Sequence, residues 1–129
     1  MAHPHAELIE GAYASFSRGD IDALMATWTD DIVWHTAGNN PVAGDHAGRQ
    51  GVATFLGRVV AQSAGTLEVE LHAVLADDER AFSLQRSTAT KDGEPLESWT
   101  VLGFLFRDGR ICEIWSFDFD QRITDRMFA

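Results

Sequence analysis

Apolar residues recur at helical spacing through the first half of the chain and at strand spacing through the second. Leu8, Ile9, Ala12, Tyr13 and Phe16 form one helical stripe that Gly19 stops. Asp20 is placed to cap a second helix, in which Ile21, Leu24, Met25 and Trp28 follow at i, i+3, i+4 and i+7. Ile32 to Thr36 is β-branched and aromatic and reads as a strand, whereas the glycines, proline and Asn39-Asn40 between Ala37 and Gly48 predict a loop. Val52, Phe55, Leu56, Val59 and Val60 then mark a third helix ending near Gly65.

Beyond Gly65 the period becomes two. Leu67, Val69 and Leu71 alternate with Glu68, Glu70 and His72. Asp77-Asp78-Glu79 turns the chain, and Lys91-Asp92-Gly93 and Arg107-Asp108-Gly109 are hairpin signals because glycine supplies the positive φ of a tight turn. Leu96 to Phe106 is apolar on both faces and belongs at the centre of a sheet, and the last strand runs from Arg110 to about Asp120. The order α-α-β-α-β-β-β-β predicts an α+β fold, with a curved antiparallel sheet and three helices from the N-terminal half packed on its concave face. Strands this long twist and curl, and three helices seldom fill the resulting hollow, so a pocket is expected.

Composition narrows the function. The 129 residues suit a single domain, 1–129, and at this size a core buries enough surface to need neither metal nor disulfide. Ten basic residues against twenty acidic give a net charge of −10, a field that repels phosphate backbones and anionic lipid. Neither nucleic acid nor membrane is therefore expected as a partner. The lone Cys112 excludes an internal disulfide, and the five histidines show no metal-ligand spacing. No cofactor motif appears, and the absence of a long apolar run or a signal-like leader predicts a soluble cytoplasmic protein.

Several side chains are candidates for chemistry. On the last strand Ile114, Ser116 and Asp118 share one parity with Cys112, the mixture of apolar and polar groups that a pocket wall needs; Ile111, Glu113, Trp115, Phe117 and Phe119 share the other. The aromatic set would then face outward and serve as a homodimer interface, unless the faces are reversed and the aromatics are core. Asp118 in a dry cavity would titrate near neutrality and act as acid or base, or else it is a solvated strand end. His35 is a proton shuttle if strand parity puts Val33 and His35 inside, and is not if Trp34 and Thr36 are inside. Arg86 shares the parity of Phe82 and Leu84, so it pairs with Asp118, meets a substrate or bends to the rim. Tyr13 would orient a ligand through its hydroxyl or else be a core tyrosine bonded to water, and Trp28, Trp34 and Trp99 would be aromatic walls or else plain core. His46 reads as an exposed spacer or a loop residue that closes over a ligand, His72 as surface beside Glu70, Asp120 as surface or cap, and His3 and His5 as part of a frayed terminus.

Four segments carry a resemblance. They are Tyr13-x-x-Phe16-x-x-Gly19-Asp20, Asp30-Asp31-Ile32-Val33-Trp34-His35, Asn40-Pro41-x-Ala43-Gly44-x-x-x-Gly48-Arg49 and Asp108-Gly109-Arg110-Ile111-x-Glu113-x-Trp115. Together they resemble the SnoaL-like branch of the nuclear-transport-factor-2-like superfamily. The resemblance implies a cone-shaped α+β barrel, which in that superfamily hosts isomerases, dehydratases, epoxide hydrolases, polyketide cyclases and binding domains. The ketosteroid isomerase triad does not carry over. Its tyrosine falls at Ala12, its base at Thr36 or His35 and its oxyanion aspartate at Leu102. A polyketide-cyclase-like acid/base aspartate late in the last strand is matched by Asp118 or Asp120. The resulting expectation is a cofactor-independent enzyme that uses general acid–base catalysis on a small hydrophobic metabolite. Asp118 and His35 would be catalytic, and Tyr13, Trp34, Arg86, Trp99, Ile114 and Ser116 would contact substrate. The alternative is a non-catalytic binding protein with the same cavity.

Overall fold

The computed structural model describes residues 3–129. Helix α1 (Pro4–Arg18) ends at Gly19, whose φ of 71° closes the helix with bonds back to Phe16 and Ser15. Asp20 caps α2 (Ile21–Met25) by accepting the Ala23 amide, as its sequence position predicts. His3 and His5, at the start of α1, make specific contacts. His3 Nδ1 accepts the His5 amide, and the His5 ring stacks on Phe106 with centroids 3.8 Å apart. Fraying was expected from position alone, which ignores this stacking surface.

Strand β1 (Trp28–Thr36) begins earlier than the apolar pattern suggests, so Trp28 belongs to a strand and not to α2. The glycine-rich segment after it contains a short strand, β2 (Gly44–Ala47), that pairs antiparallel with β1 before α3 (Gly48–Gln62). Then follow β3 (Glu68–Ala76), β4 (Arg80–Lys91), β5 (Glu94–Arg107) and β6 (Arg110–Asp118). A fourth helix, α4 (Gln121–Met127), closes the chain with Asp120 as its N-cap. The sequence pattern hides α4 because seven residues give too little periodicity to register.

All six strands form one curved sheet in the order β2-β1-β6-β5-β4-β3. Its neighbours are antiparallel except β1 and β6, which run parallel. Hydrophobic alternation reports which face is buried and is blind to strand direction, so the parallel pair was not expected. The apolar stretch in β5 does lie at the centre, between β6 and β4. Helix α1 lies against β3, α3 against β1, and α4 against β5 and β4. The core between helices and sheet holds Ile9, Trp28, Ile32, Val52, Ile111 and Ile114, each no more than 1% exposed.

Two bulges alter the faces. A register shift between Leu71 and Ala73 turns Leu75 outward, where it is 75% exposed. Another, opposite Leu105 and Phe106, lets Ile111 and Ile114 both point inward despite opposite parity. Among the described residues no helix is long and apolar enough to cross a membrane, and no cluster of metal-ligating side chains forms.

Candidate ligand cavity and active site

The concave face of the sheet, roofed by α1, α3 and α4, encloses a cavity of about 140 Å³. Its inner end is apolar, with Leu24, Trp28, Phe104 and Ile111. Its floor toward α4 is polar because strand register aligns hydroxyls, an amide and a carboxyl. Gln85, Thr100 and Asp118 are direct partners across β4, β5 and β6, and Ser87 and Ser98 occupy the neighbouring positions.

Asp118 lies on this floor. The Thr100 hydroxyl donates to its Oδ1 at 2.8 Å. Burial pushes the Asp118 carboxyl above its ordinary range, since the charged form loses water; the Thr100 and Thr124 hydroxyls oppose that rise and the Asp125 charge adds to it. Ser116, one inward step earlier on β6, accepts a hydrogen bond from Trp34 Nε1 at 2.9 Å. That bond leaves the Ser116 hydroxyl proton free to donate. Ile114 lies on the same face, so β6 presents Ile114, Ser116 and Asp118 inward, and its aromatics face away.

Tyr13 reaches the floor from α1. Its hydroxyl donates to Gln85 Oε1 at 2.5 Å and is 2.8 Å from Ser83 Oγ. Burial pushes Tyr13 up to about 12, with the Ser83 contact acting against it, so the phenol stays protonated at working pH. Trp34 forms a wall, edge-on to Phe55 with centroids 5.2 Å apart.

Three expected site residues lie elsewhere. Trp34 and Thr36 take the inward parity of β1, which leaves His35 on the outer face. There His35 Nδ1 meets Asp45 at 2.7 Å, Nε2 meets Glu113 at 2.6 Å, and the ring stacks on Trp115. The Asp45 hydrogen bond is the main reason its pKa rises; desolvation opposes it and Glu113 supports it. Arg86 also faces outward and binds Glu97 at 2.7 Å, so it does not pair with Asp118. Trp99 lies on that face as well, donating to Glu97 and edge-on to His72. The parity of Phe82, Leu84 and Arg86 looked like the core face, yet Phe82 is 50% exposed while Ser83 is 1% exposed. An apolar outer face had inverted the usual inference.

The overlooked lining residues of the cavity are Gln85, Ser87, Ser98, Thr100 and Thr124. Ser98 and Thr100 on an otherwise apolar central strand were the available signal, because buried hydroxyls there need partners. His46 is less exposed in role than expected: it is on β2, bonded to the Val42 carbonyl at 2.9 Å and stacked on Phe55. The mouth is held by Asp125 on α4. Its Oδ1 accepts from the Asn39 amide at 2.9 Å, Asn40 Nδ2 at 2.8 Å and Gln121 Nε2 at 3.1 Å.

This architecture recurs in known proteins. The uncharacterized protein Rv0034 of Mycobacterium tuberculosis is 27% identical over 124 residues, covering 95% of each chain. The structure of Bal32a, from a soil-derived mobile gene cassette, matches with a TM-score of 0.93 and 30% identity, covering 99% of this chain and 98% of that one. TerC, co-crystallized with polyporic acid, shares the fold at a TM-score of 0.85 and 18% identity, covering 98% of this chain and all of that one (100%). A model of the SnoaL-like domain matches residues 9–114. With its curved open sheet, helical roof and family match in agreement, the chain belongs to the SnoaL-like domain family, of the nuclear-transport-factor-2-like fold.

Proposed function

We propose that the protein is a cofactor-independent enzyme of the isomerase type that moves a proton on a small hydrophobic molecule, with Asp118 as its acid–base group. One observation carries this reading: Asp118 is a half-buried carboxyl on the cavity floor with no cation beside it, so its proton affinity is raised toward the working pH. A single carboxylate suffices for isomerisation. It takes a proton from the carbon next to a carbonyl and returns it to another carbon of the same molecule. The free Ser116 hydroxyl proton, two residues away on the same face, would hydrogen-bond the carbonyl oxygen as charge develops there. Tyr13 is a donor and not a base, since its phenol stays protonated.

The reading is tested by deuterium exchange. Incubated in heavy water with simple cyclic ketones, the protein should accelerate exchange at the carbon beside the carbonyl. The Asp118→Asn substitution should reduce that acceleration by about 10²–10⁴-fold. Binding of the same ketones with no exchange would support the second reading, a ligand-binding protein. That alternative is favoured by the outward position of His35, which leaves Asp118 and the locked Tyr13 as the only titratable side chains lining the cavity among the described residues. The bound polyporic acid named for TerC is consistent with either reading.

We also propose that the outer sheet face joins two copies of the chain. Phe82, Phe117, Phe119 and Leu75 are each at least half exposed there, and Phe82 and Phe117 flank Gly103. The neighbouring charges are already paired within the chain, as Arg86 with Glu97, His72 with Glu70, and His35 with Asp45 and Glu113. A second copy would cover these exposed apolar side chains with its own matching patch.

A further inference from the structure

The cavity combines three features. Among the described residues no Arg, Lys or His lines it, and Asp118 is the one carboxyl that does. Behind Asp118, Asp125 adds a second negative charge. The remaining polar lining consists of neutral hydroxyls and amides, among them Tyr13, Gln85, Thr100 and Ser116. A pocket built to hold a carboxylate or phosphate would supply at least one guanidinium, ammonium or exposed helix N-terminus, and this one supplies none of these side chains. Its volume, about 140 Å³, is close to the ~150 Å³ apolar cavity that accepts benzene. Trp34 and Phe55 provide flat walls for a ring.

We propose that the cavity sorts ligands by charge: it admits a ring compound that is uncharged or carries a protonated amine, it refuses the matching carboxylate, and Asp118 is the sorting group. This inference rests on the reading of the cavity as the ligand site, but it does not depend on catalysis. An anion placed beside Asp118 would meet like charge at low dielectric, with only neutral dipoles to offset it. A hydroxyl or an ammonium would instead donate to the carboxylate, and the aromatic walls would favour the cation further. Desolvation alone would penalise both ions, so the two explanations differ in sign for the cation.

Benzyl alcohol, benzylammonium and benzoate carry one ring in three charge states, and their binding can be followed by calorimetry or by tryptophan fluorescence, since Trp28 and Trp34 line the cavity. For the wild-type protein at neutral pH, benzyl alcohol and benzylammonium should bind and benzoate should bind about 100-fold more weakly. In the Asp118→Asn variant benzoate should gain about tenfold and benzylammonium should lose about tenfold. Equal wild-type affinities for alcohol and benzoate would overturn the proposal. So would equal rejection of both ions, or an Asp118→Asn variant that leaves the ratio unchanged. If that variant does not fold, benzenesulfonate, an anion at every working pH, serves on the wild type. Its affinity should rise as pH falls and Asp118 protonates, and a flat profile would count against the idea. Loss of ketone exchange in the Asp118→Asn variant with charge sorting intact would keep the catalytic reading and sink this one; the reverse result would do the opposite.

Discussion

Asp118 and His35 were paired as candidate catalysts, and the structure gives them opposite surroundings. Asp118 is half-buried, and the water its charged form loses raises its folded proton affinity above that of the unfolded chain, although the Thr100 and Thr124 hydroxyls act against the rise. Its contribution to stability is therefore present below the ordinary carboxylate range and is lost as pH rises through the folded value. At neutral pH the ionised group costs stability. The Asp118→Asn variant should melt higher than the wild type at pH 7, with the gap closing in acid, as read by calorimetric melting curves. His35 is also raised, but by two carboxylates that favour its cation. Its stabilisation is complete below pH ~6.5 and declines as pH rises through the folded value. The His35→Gln substitution should remove that decline while costing no more than ~1 kcal/mol at pH 6, because both carboxylates keep access to water. Urea titrations at several pH values would read both effects.

Among the elements, α4 has an influence out of proportion to its seven residues. Its Thr124 hydroxyl lies 3.1 Å from Ser98 Oγ on the cavity floor, while Asp125 gathers three donors from the mouth loop and its own helix. Gly38 makes this approach feasible. Its φ is 125°, and a Cβ there would fall 2.5 Å from Asp125 Oδ1. The Asp125→Ala substitution should cost about 0.5–1.5 kcal/mol, the net range for hydrogen bonds whose donors regain water. It should also speed hydrogen exchange at the Asn39 amide while leaving strand amides protected. Uniform acceleration across the sheet would show instead that α4 supports the whole fold.

For the whole molecule, charge and shape bear on the proposed dimer. Two chains of net charge −10 repel at long range, so association through the apolar outer face should strengthen as salt screens that repulsion. Sedimentation should find a dimer at micromolar concentration and moderate salt. The Phe117→Asp substitution, at an exposed site beyond the cavity, should give a monomer with an unchanged circular dichroism spectrum. A monomeric wild type would end the dimer proposal without touching the cavity.

Local chemistry by itself determined the two long helices and the strand-rich second half of this protein, the Gly19 stop, the Asp20 cap and both Asp-Gly hairpins, because each depends only on neighbours in sequence. Periodicity also placed β5 at the centre and matched Ile114, Ser116 and Asp118 to one face. Which parity of a strand faced inward was a different matter. On β4 the apolar side chains Phe82 and Leu84 face outward while Ser83 and Gln85 face the cavity, and β1 hid His35 from it. Such choices arise from pairing across distant strands and from bulges, as at Leu75 and Ile111, where one extra residue reverses every later side chain. The carboxyl was legible as a residue, but only the tertiary structure put it on a cavity floor, with Gln85, Thr100 and Thr124 in the same lining and, among the described residues, no cation there.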